Sequence, residues 1–367
     1  MKVSIVTCFE SNEERASFVL EACKQRGYIA KAITTDFSHV RKAKRESVRE
    51  GFTAVKTDGY EKNLSVARMK SHAKFAKDAF ELVERQQPDL IWCIAPANSL
   101  IKEAKKYKEK YPSVKIIVDI IDMWPESLPM NINKNIFPFN IWRNVRKDNI
   151  GCADLVVTEC EFYQNTLINE YKGQMETIYW AKDGKTYHEK LNVPDDKISL
   201  VYLGSINNII DVELIKKAIS NIDREVVLHI IGDGENKENF ISSLSQVCTI
   251  EDHGVVRDEE EKAKIFARCH AGINIYKEGL YIGLTSKCID YFEHGLPIIN
   301  NIKGDTWLFV KKNRLGINVD ENTRIRHRDI ERMRINNDSI YDIYNNNFTK
   351  RVFIKNCLSA IDKVINY

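Results

Sequence analysis

The residues best arranged for chemistry lie in the run Tyr276-Lys-Glu-Gly-Leu-Tyr-Ile-Gly-Leu-Thr-Ser-Lys-Cys-Ile-Asp-Tyr-Phe-Glu-His-Gly-Leu-Pro297. An apolar strand pattern ends at Tyr276. A loop with two glycines follows, and a helical pattern opens at Thr285-Ser286-Lys287 and closes at Gly295. The unpaired N–H groups of a helix start, together with the positive end of the helix dipole, suit a diphosphate. Lys287 in the first turn opposes that dipole, so a bound anion would explain its placement. Asp290, three residues on and on a neighbouring face, is placed to accept hydrogen bonds from ribose hydroxyls. The plainer alternatives are that Thr285 and Ser286 only cap the helix and that Lys287 and Asp290 form a surface ion pair.

A second set gathers in the first half of the chain. In Val118-Asp-Ile-Ile-Asp-Met-Trp-Pro-Glu-Ser127, Pro125 ends a strand and leaves Asp122 at its tip. A carboxylate there would orient or deprotonate a substrate hydroxyl, and Trp124 offers a flat apolar wall for a ring. Asp36-Phe-Ser-His39 is another strand-tip cluster, followed by five basic residues within 41–50, starting at Arg41. Such a run meets an anionic ligand or membrane surface, or is simply a solvated charged face. The stretch Phe137-Pro-Phe-Asn-Ile-Trp142-Arg-Asn-Val-Arg146-Lys147 mixes aromatic and basic residues, as an interfacial helix does.

These residues need strands to present them. Strand-like and helix-like segments alternate almost throughout, with strands rich in Val, Ile and Leu on both faces. Such runs suit parallel sheets covered by helices on both sides. The alternation runs from residue 3 to 180, pauses in the polar, turn-rich stretch 182–196, and restarts at 198. The expected class is therefore α/β, with two doubly wound Rossmann-like domains facing each other across a cleft. The domains expected are 1–182 and 183–338, with a C-terminal helix over 339–367 packing back on the first. Ligands of such sheets bind at the carboxyl ends of the strands. That edge holds Asp36, Asp122 and Glu159 in the first half, and Gly204-Ser205, Gly232-Asp233, Gly254 and Glu278 in the second.

With 367 residues, 43% of them hydrophobic, the chain has enough material for two cores. A net charge of only +3 gives no reason to expect nucleic-acid binding. No apolar run approaches the ~20 residues of a membrane span. Nine scattered cysteines without a C-x-x-C pair read as buried thiols in a reducing compartment, and no metal-ligand spacing is present. The chain is expected to be cytoplasmic, and no G-x-G-x-x-G follows the first strand, which weighs against an ordinary dinucleotide oxidoreductase.

The segment Ser286-Lys287-Cys-Ile-Asp290-Tyr291, with Gly295-Leu-Pro297-Ile-Ile after the helix, resembles the donor motif of GT-B glycosyltransferases. The likeness is greatest to the family 4-like enzymes of bacterial capsular and exopolysaccharide synthesis. It implies that Lys287 contacts donor phosphates and Asp290, an Asp where Glu is usual, the ribose. Glu278 best matches the family's upstream acid that contacts the sugar, although its spacing to Asp290 is longer than the usual E-x7-E. Tyr202-Leu-Gly204-Ser205 and Ile230-Ile-Gly232-Asp233-Gly234 are similar to the family's two glycine turns. His253-Gly254-Val255-Val256 is similar to the loop against the nucleotide base. The basic pair often found after the first turn is absent.

The Asp122-x-Trp124-Pro125 run is similar to a motif of the same enzymes. The resemblance therefore implies an acceptor side with Asp36, His39, Arg41 and Trp124, and Asp122 and Glu278 as catalytic candidates. The activity implied is transfer of a sugar from a nucleotide-sugar donor to a lipid-linked glycan or oligosaccharide, with peripheral contact at the inner face of the membrane as part of the same expectation. A retaining, metal-independent site without cofactor is expected, since no Asp-x-Asp pair occurs. Two alternatives stay open: a GT-B-fold sugar-nucleotide epimerase, and a non-catalytic subunit that assists a partner transferase.

Overall fold

The computed structural model describes residues 1–128, 133–183, 192–194, 196–334 and 337–366. Most of the expected linker, 184–191 and residue 195, lies outside the described residues. The chain divides into two compact units, Met1–Ala181 with Lys350–Tyr367, and Lys182–Thr349.

The first unit begins with β1 (Lys2–Thr7), α1 (Glu13–Gln25), β2 (Ile29–Thr35), a two-residue hairpin of β3 (Phe37–Ser38) and β4 (Ala43–Lys44), and β5 (Phe52–Val55). It continues with α2 (Val66–Gln86), β6 (Leu90–Ala95), α3 (Ser99–Lys110), β7 (Lys115–Ile120) and α4 (Phe139–Lys147). It ends with β8 (Leu155–Thr158), α5 (Glu161–Leu167) and β9 (Met175–Thr177). The sheet order is β5-β2-β1-β6-β7-β8-β9, with every pair parallel. Every side chain of β6 is buried, as a strand covered on both faces requires.

Arg15 on α1 pins this core. Its Nε and Nη2 reach both oxygens of Asp119 on β7 at 2.8 and 2.9 Å, and Nη2 also donates to the Ile178 carbonyl at 2.9 Å. Trp92 on β6 donates to the same carboxylate at 3.1 Å.

The second unit repeats the plan. Its elements are β10 (Ile198–Leu203), α6 (Val212–Ser220), β11 (Val226–Ile231), α7 (Lys237–Leu244), β12 (Thr249–Asp252), α8 (Glu259–Phe266) and β13 (Ala271–Asn274). Then come α9 (Ser286–Glu293), β14 (Ile298–Asn300), α10 (Asp305–Asn313), β15 (Gly316–Asn318), α11 (His327–Arg334) and α12 (Asn337–Asn347). The order β12-β11-β10-β13-β14-β15 is again all parallel and doubly wound. The strand order reverses beside β10, so the loops after β10 and β13 flank the crevice where such sheets hold ligands.

The expected tail helix over 339–367 is instead two helices. The first, α12, belongs to the second unit, where Tyr344 donates to Glu293 at 3.0 Å. The second, α13 (Lys350–Ile365), belongs to the first unit and lays Phe353 under the Arg15 guanidinium at 4.9 Å. The break falls where apolar periodicity gives way to the polar run Asn345-Asn346-Asn347. All nine cysteines are free thiols, seven of them buried. Among the described residues, no helix is long and apolar enough to cross a membrane.

Candidate functional site

In the second unit, the loops at the strand reversal are built by glycines that let backbones touch. A Cβ on Gly232 would fall 2.0 Å from the Gly204 carbonyl oxygen, and one on Gly234 would fall 2.3 Å from that of Ile206. The three turns are tied by backbone bonds, Gly204 N–H to Ile231 at 2.9 Å and Gly232 N–H to Gly254 at 2.7 Å. Asp233 turns back on its own loop, accepting from Gly234 N–H at 2.8 Å. Gly232, Asp233 and Gly254 therefore brace the loop that carries Gly204 and Ser205.

A cavity of about 370 Å³ opens beside that loop, lined among others by Gly204, Ser205, Lys262, Tyr276, Ser286, Lys287 and Asp290. Thr285 precedes α9 in extended conformation and makes no cap to it, because its hydroxyl donates to Asn274 at 2.8 Å. Ser286 is exposed. The start of α9 thus faces the cavity without a side-chain cap.

Lys287 is the unusual group here. It is 6% exposed, and its Nζ has no hydrogen-bond partner among the described residues. The ammonium sits 3.9 Å from the Tyr202 ring centre and 5.0 Å from that of Tyr276, with the Gly204 backbone alongside. Burial pulls its pKa down to about 7. A cation held between two aromatic faces without a counter-ion is costly to keep charged, and an anion in the cavity would supply the missing partner.

Asp290 lines the same cavity and is already paired. Its carboxylate accepts from Lys182 and, at 3.1 Å, from Lys262, which also reaches Glu259 at 2.6 Å. It borders the cavity as part of a Lys–Asp–Lys cluster. Lys262 puts a cation where the missing basic pair left none. The signal for it was a lysine on the buried face of α8, directly before Ala263 and one turn before Ile265 and Phe266, which also pack inward.

Glu278 does not line the Lys287 cavity. Its side chain is 90% exposed and faces Lys303 at 3.4 Å. Val255 is exposed, and Val256 lines the cavity. His253 is tied to the sheet, its Nε2 lying 3.0 Å from His229 Nδ1.

In the first unit, the tips of β1, β2 and β7 gather a second set. Asp122 accepts from Trp124 Nε1 at 2.6 Å and from the Ser127 hydroxyl, while burial holds its pKa above the usual carboxylate value. Glu159, at the end of β8, accepts from Trp180 Nε1 and from Tyr163 at 3.2 Å. Burial, with the charge of Asp122 adding to it, pushes Glu159 up to about 8. Trp124 is half-buried against Phe9, His72 and Trp142, with ring centres 5.7 to 6.0 Å away. Its loop is held by Arg146 and Asn98, both donating to the Trp124 carbonyl.

His39 bonds Tyr60 at 2.6 Å, and burial followed by the nearby Arg68 charge lowers it to about 4. Asp36 is committed to Lys44 and to the Thr57 N–H at 2.7 and 2.8 Å. Arg41 is exposed. The basic run 41–50 is a hairpin and loop rather than a helix face, and Arg45 in it pairs with Glu13 at 3.0 Å. The helix expected to be interfacial buries Trp142 and Arg146 instead. Arg146 is bound to Glu126 and Glu170 at 2.8 to 3.1 Å, an arrangement that leaves it no free charge to offer a membrane.

Sequence reasoning passed over Arg68 altogether. It lies on the buried face of α2 with Ser71, His72 and Phe75. An arginine in that i, i+3, i+4, i+7 pattern was the available signal.

No family model matches the chain, and no curated protein matches it in sequence. Solved structures match over its whole length. The sucrose-phosphate synthase of Thermosynechococcus elongatus is 12% identical, covering 100% of this chain and 99% of its own, with a TM-score of 0.72. The lipopolysaccharide outer core galactosyltransferase WaaB, in its apo form, is 14% identical, covering 100% and 99%, with a TM-score of 0.64. Anabaena HepE, in complex with UDP and glucose, is 11% identical, covering 99% of each chain, with a TM-score of 0.66. Two parallel, doubly wound halves and neighbours of this kind give the chain the fold of the GT-B glycosyltransferases.

Proposed function

We propose that the chain is a glycosyltransferase that takes a sugar from a nucleoside-diphosphate donor and passes it to a hydroxyl of a lipid-linked or oligosaccharide acceptor in surface polysaccharide synthesis. The observation that carries the reading is Lys287, buried and unpartnered beside the Gly204 loop and the uncapped start of α9. When the donor's glycosidic bond breaks, negative charge builds on the leaving diphosphate. Lys287, the first N–H groups of α9 and the loop backbone would receive that charge without reorganising.

Lys262 adds a second cation at the same cavity, and the Lys182–Asp290–Lys262 cluster keeps it in place. Asp122 is the carboxylate proposed to orient or accept the proton of the acceptor hydroxyl, because burial lifts its pKa toward the range where a base works. Retention of configuration and independence from metal ions belong to the same proposal.

The geometry also supports a second reading. Glu278 is exposed and Asp290 is already paired, which suits a subunit that binds a nucleotide without turning it over. Incubating the purified chain with a panel of nucleotide sugars and a lipid-diphosphate oligosaccharide separates the two. Release of nucleoside diphosphate together with acceptor extension is expected. Binding without release would favour the non-catalytic subunit, and an epimerised donor without transfer would favour the epimerase.

A further inference from the structure

The aromatic cluster at the tips of β1 and β2 and the Trp124 loop contains a cation that the transferase reading has not used. Arg68 is 2% exposed. Its Nη1 donates to the Asn63 carbonyl at 2.8 Å, whereas Nε and Nη2 have no hydrogen-bond partner among the described residues. Those two nitrogens form one edge of the guanidinium, the side-on fork that meets two oxygens of a carboxylate or phosphate in parallel. The cation lies 4.0 Å from the Trp124 ring centre, with Phe9 at 5.7 Å and Tyr60 at 5.8 Å. The nearest carboxylate with a role in this pocket, Asp122, is engaged by Trp124 and Ser127 instead.

Burial lowers the pKa of this guanidinium, and the neighbouring Tyr60 hydroxyl offsets part of that shift. Two other deeply buried arginines, Arg15 and Arg146, meet carboxylates through this kind of edge, and a third, Arg334, donates to the Gly295 and Phe266 carbonyls. The unpartnered edge, beside a half-buried tryptophan and two histidines, is the observation that points to a ligand.

We propose that Arg68 binds an oxyanion carried by the acceptor, so that the acceptor is an acidic saccharide whose carboxylate or phosphate docks on the Nε–Nη2 edge while its ring lies against Trp124. The oxyanion reaches the fork when the half-buried His39 ring moves aside, and Trp124 stays in place as the wall for the saccharide ring. The proposal rests on the transferase reading and specifies the substrate class of its acceptor side.

Isothermal titration of the full chain with methyl glucuronide, glucose 1-phosphate and methyl glucoside tests it, with UDP titrated in parallel to report on the Lys287 cavity. Binding of one acidic sugar at least 30-fold tighter than the neutral glucoside is expected. The acid that binds identifies the source of the oxyanion. Arg68→Met should remove that preference by roughly 30-fold or more, Arg68→Lys should restore part of it, and both should leave UDP affinity unchanged. Equal affinity for acidic and neutral sugars in the wild-type chain would overturn the proposal whether or not the variants fold. If UDP still binds in that case, the donor reading survives. If UDP fails as well, the transferase reading falls with it.

Discussion

The protein buries a cation at the centre of each unit's business, and it treats the two in opposite ways. Arg15, in the core of the first unit, has all three guanidinium nitrogens bonded, two of them to Asp119. Lys287, at the strand reversal of the second unit, has an ammonium bonded to nothing among the described residues. The first arrangement stabilises a fold, because its attraction and hydrogen bonds offset the loss of water. The second stabilises only a complex, because its compensation must arrive with a ligand. Fully buried polar groups thus sort into structural and functional ones by whether their partners are already present.

That contrast can be broken most forcefully at Arg15. Arg15→Met strands Asp119 in the core and should cost about 3–5 kcal/mol of stability, read as a lower urea midpoint. A loss under about 1 kcal/mol would mean that the pair is not structural.

A pH titration of stability in the ligand-free chain tests the other side. Lys287 has a folded pKa of about 7 against an unfolded value near 10.5, so the unfolded chain binds more protons between those values. Its contribution should therefore rise with pH from about 7 to 10.5, by an amount on the order of a few kcal/mol. Lys287→Met should abolish that rise. At pH 7 it should also stabilise the fold by about 1 kcal/mol, the reverse of the Arg15 outcome. A destabilised Lys287→Met would class the lysine as structural.

An effect of similar size and opposite sign is expected at Glu159. Its folded pKa of about 8 lies above the unfolded value of 4.5, so its contribution is full below pH 4.5 and is lost as pH rises toward 8. Glu159→Gln should flatten the stability profile over that window and leave the rise above pH 8 untouched.

Much of this was legible from local pattern. The alternation of apolar runs placed β10 at 198–203, and the Gly-loop and Thr-Ser-Lys sequence placed the start of α9 within a residue. Those features depend on neighbours in the chain. The rest depends on partners far away along it. Asp290 reads as free until Lys262, 28 positions earlier, and Lys182, 108 earlier, are folded against it. Glu278 fits the motif in sequence but lies in a loop that leaves it in solvent. The pattern of α2 puts Arg68 on a buried face, but that its Nε and Nη2 find no partner there depends on residues far away in the chain. The β3–β4 hairpin is too short to show a period, α10 carries its apolar residues as one block, Trp307 to Val310, without helical spacing, and α11 has only Ile330 and Met333.

Titration calorimetry of UDP and the other nucleoside diphosphates against wild type and Lys287→Met is the most direct measurement of the claim that Lys287 awaits a diphosphate. Binding to the wild type should weaken by up to tenfold per unit as pH rises above 7, with proton uptake on binding, and the variant should bind roughly 30-fold more weakly or worse. Equal affinity in the two proteins, with no proton uptake, would contradict it.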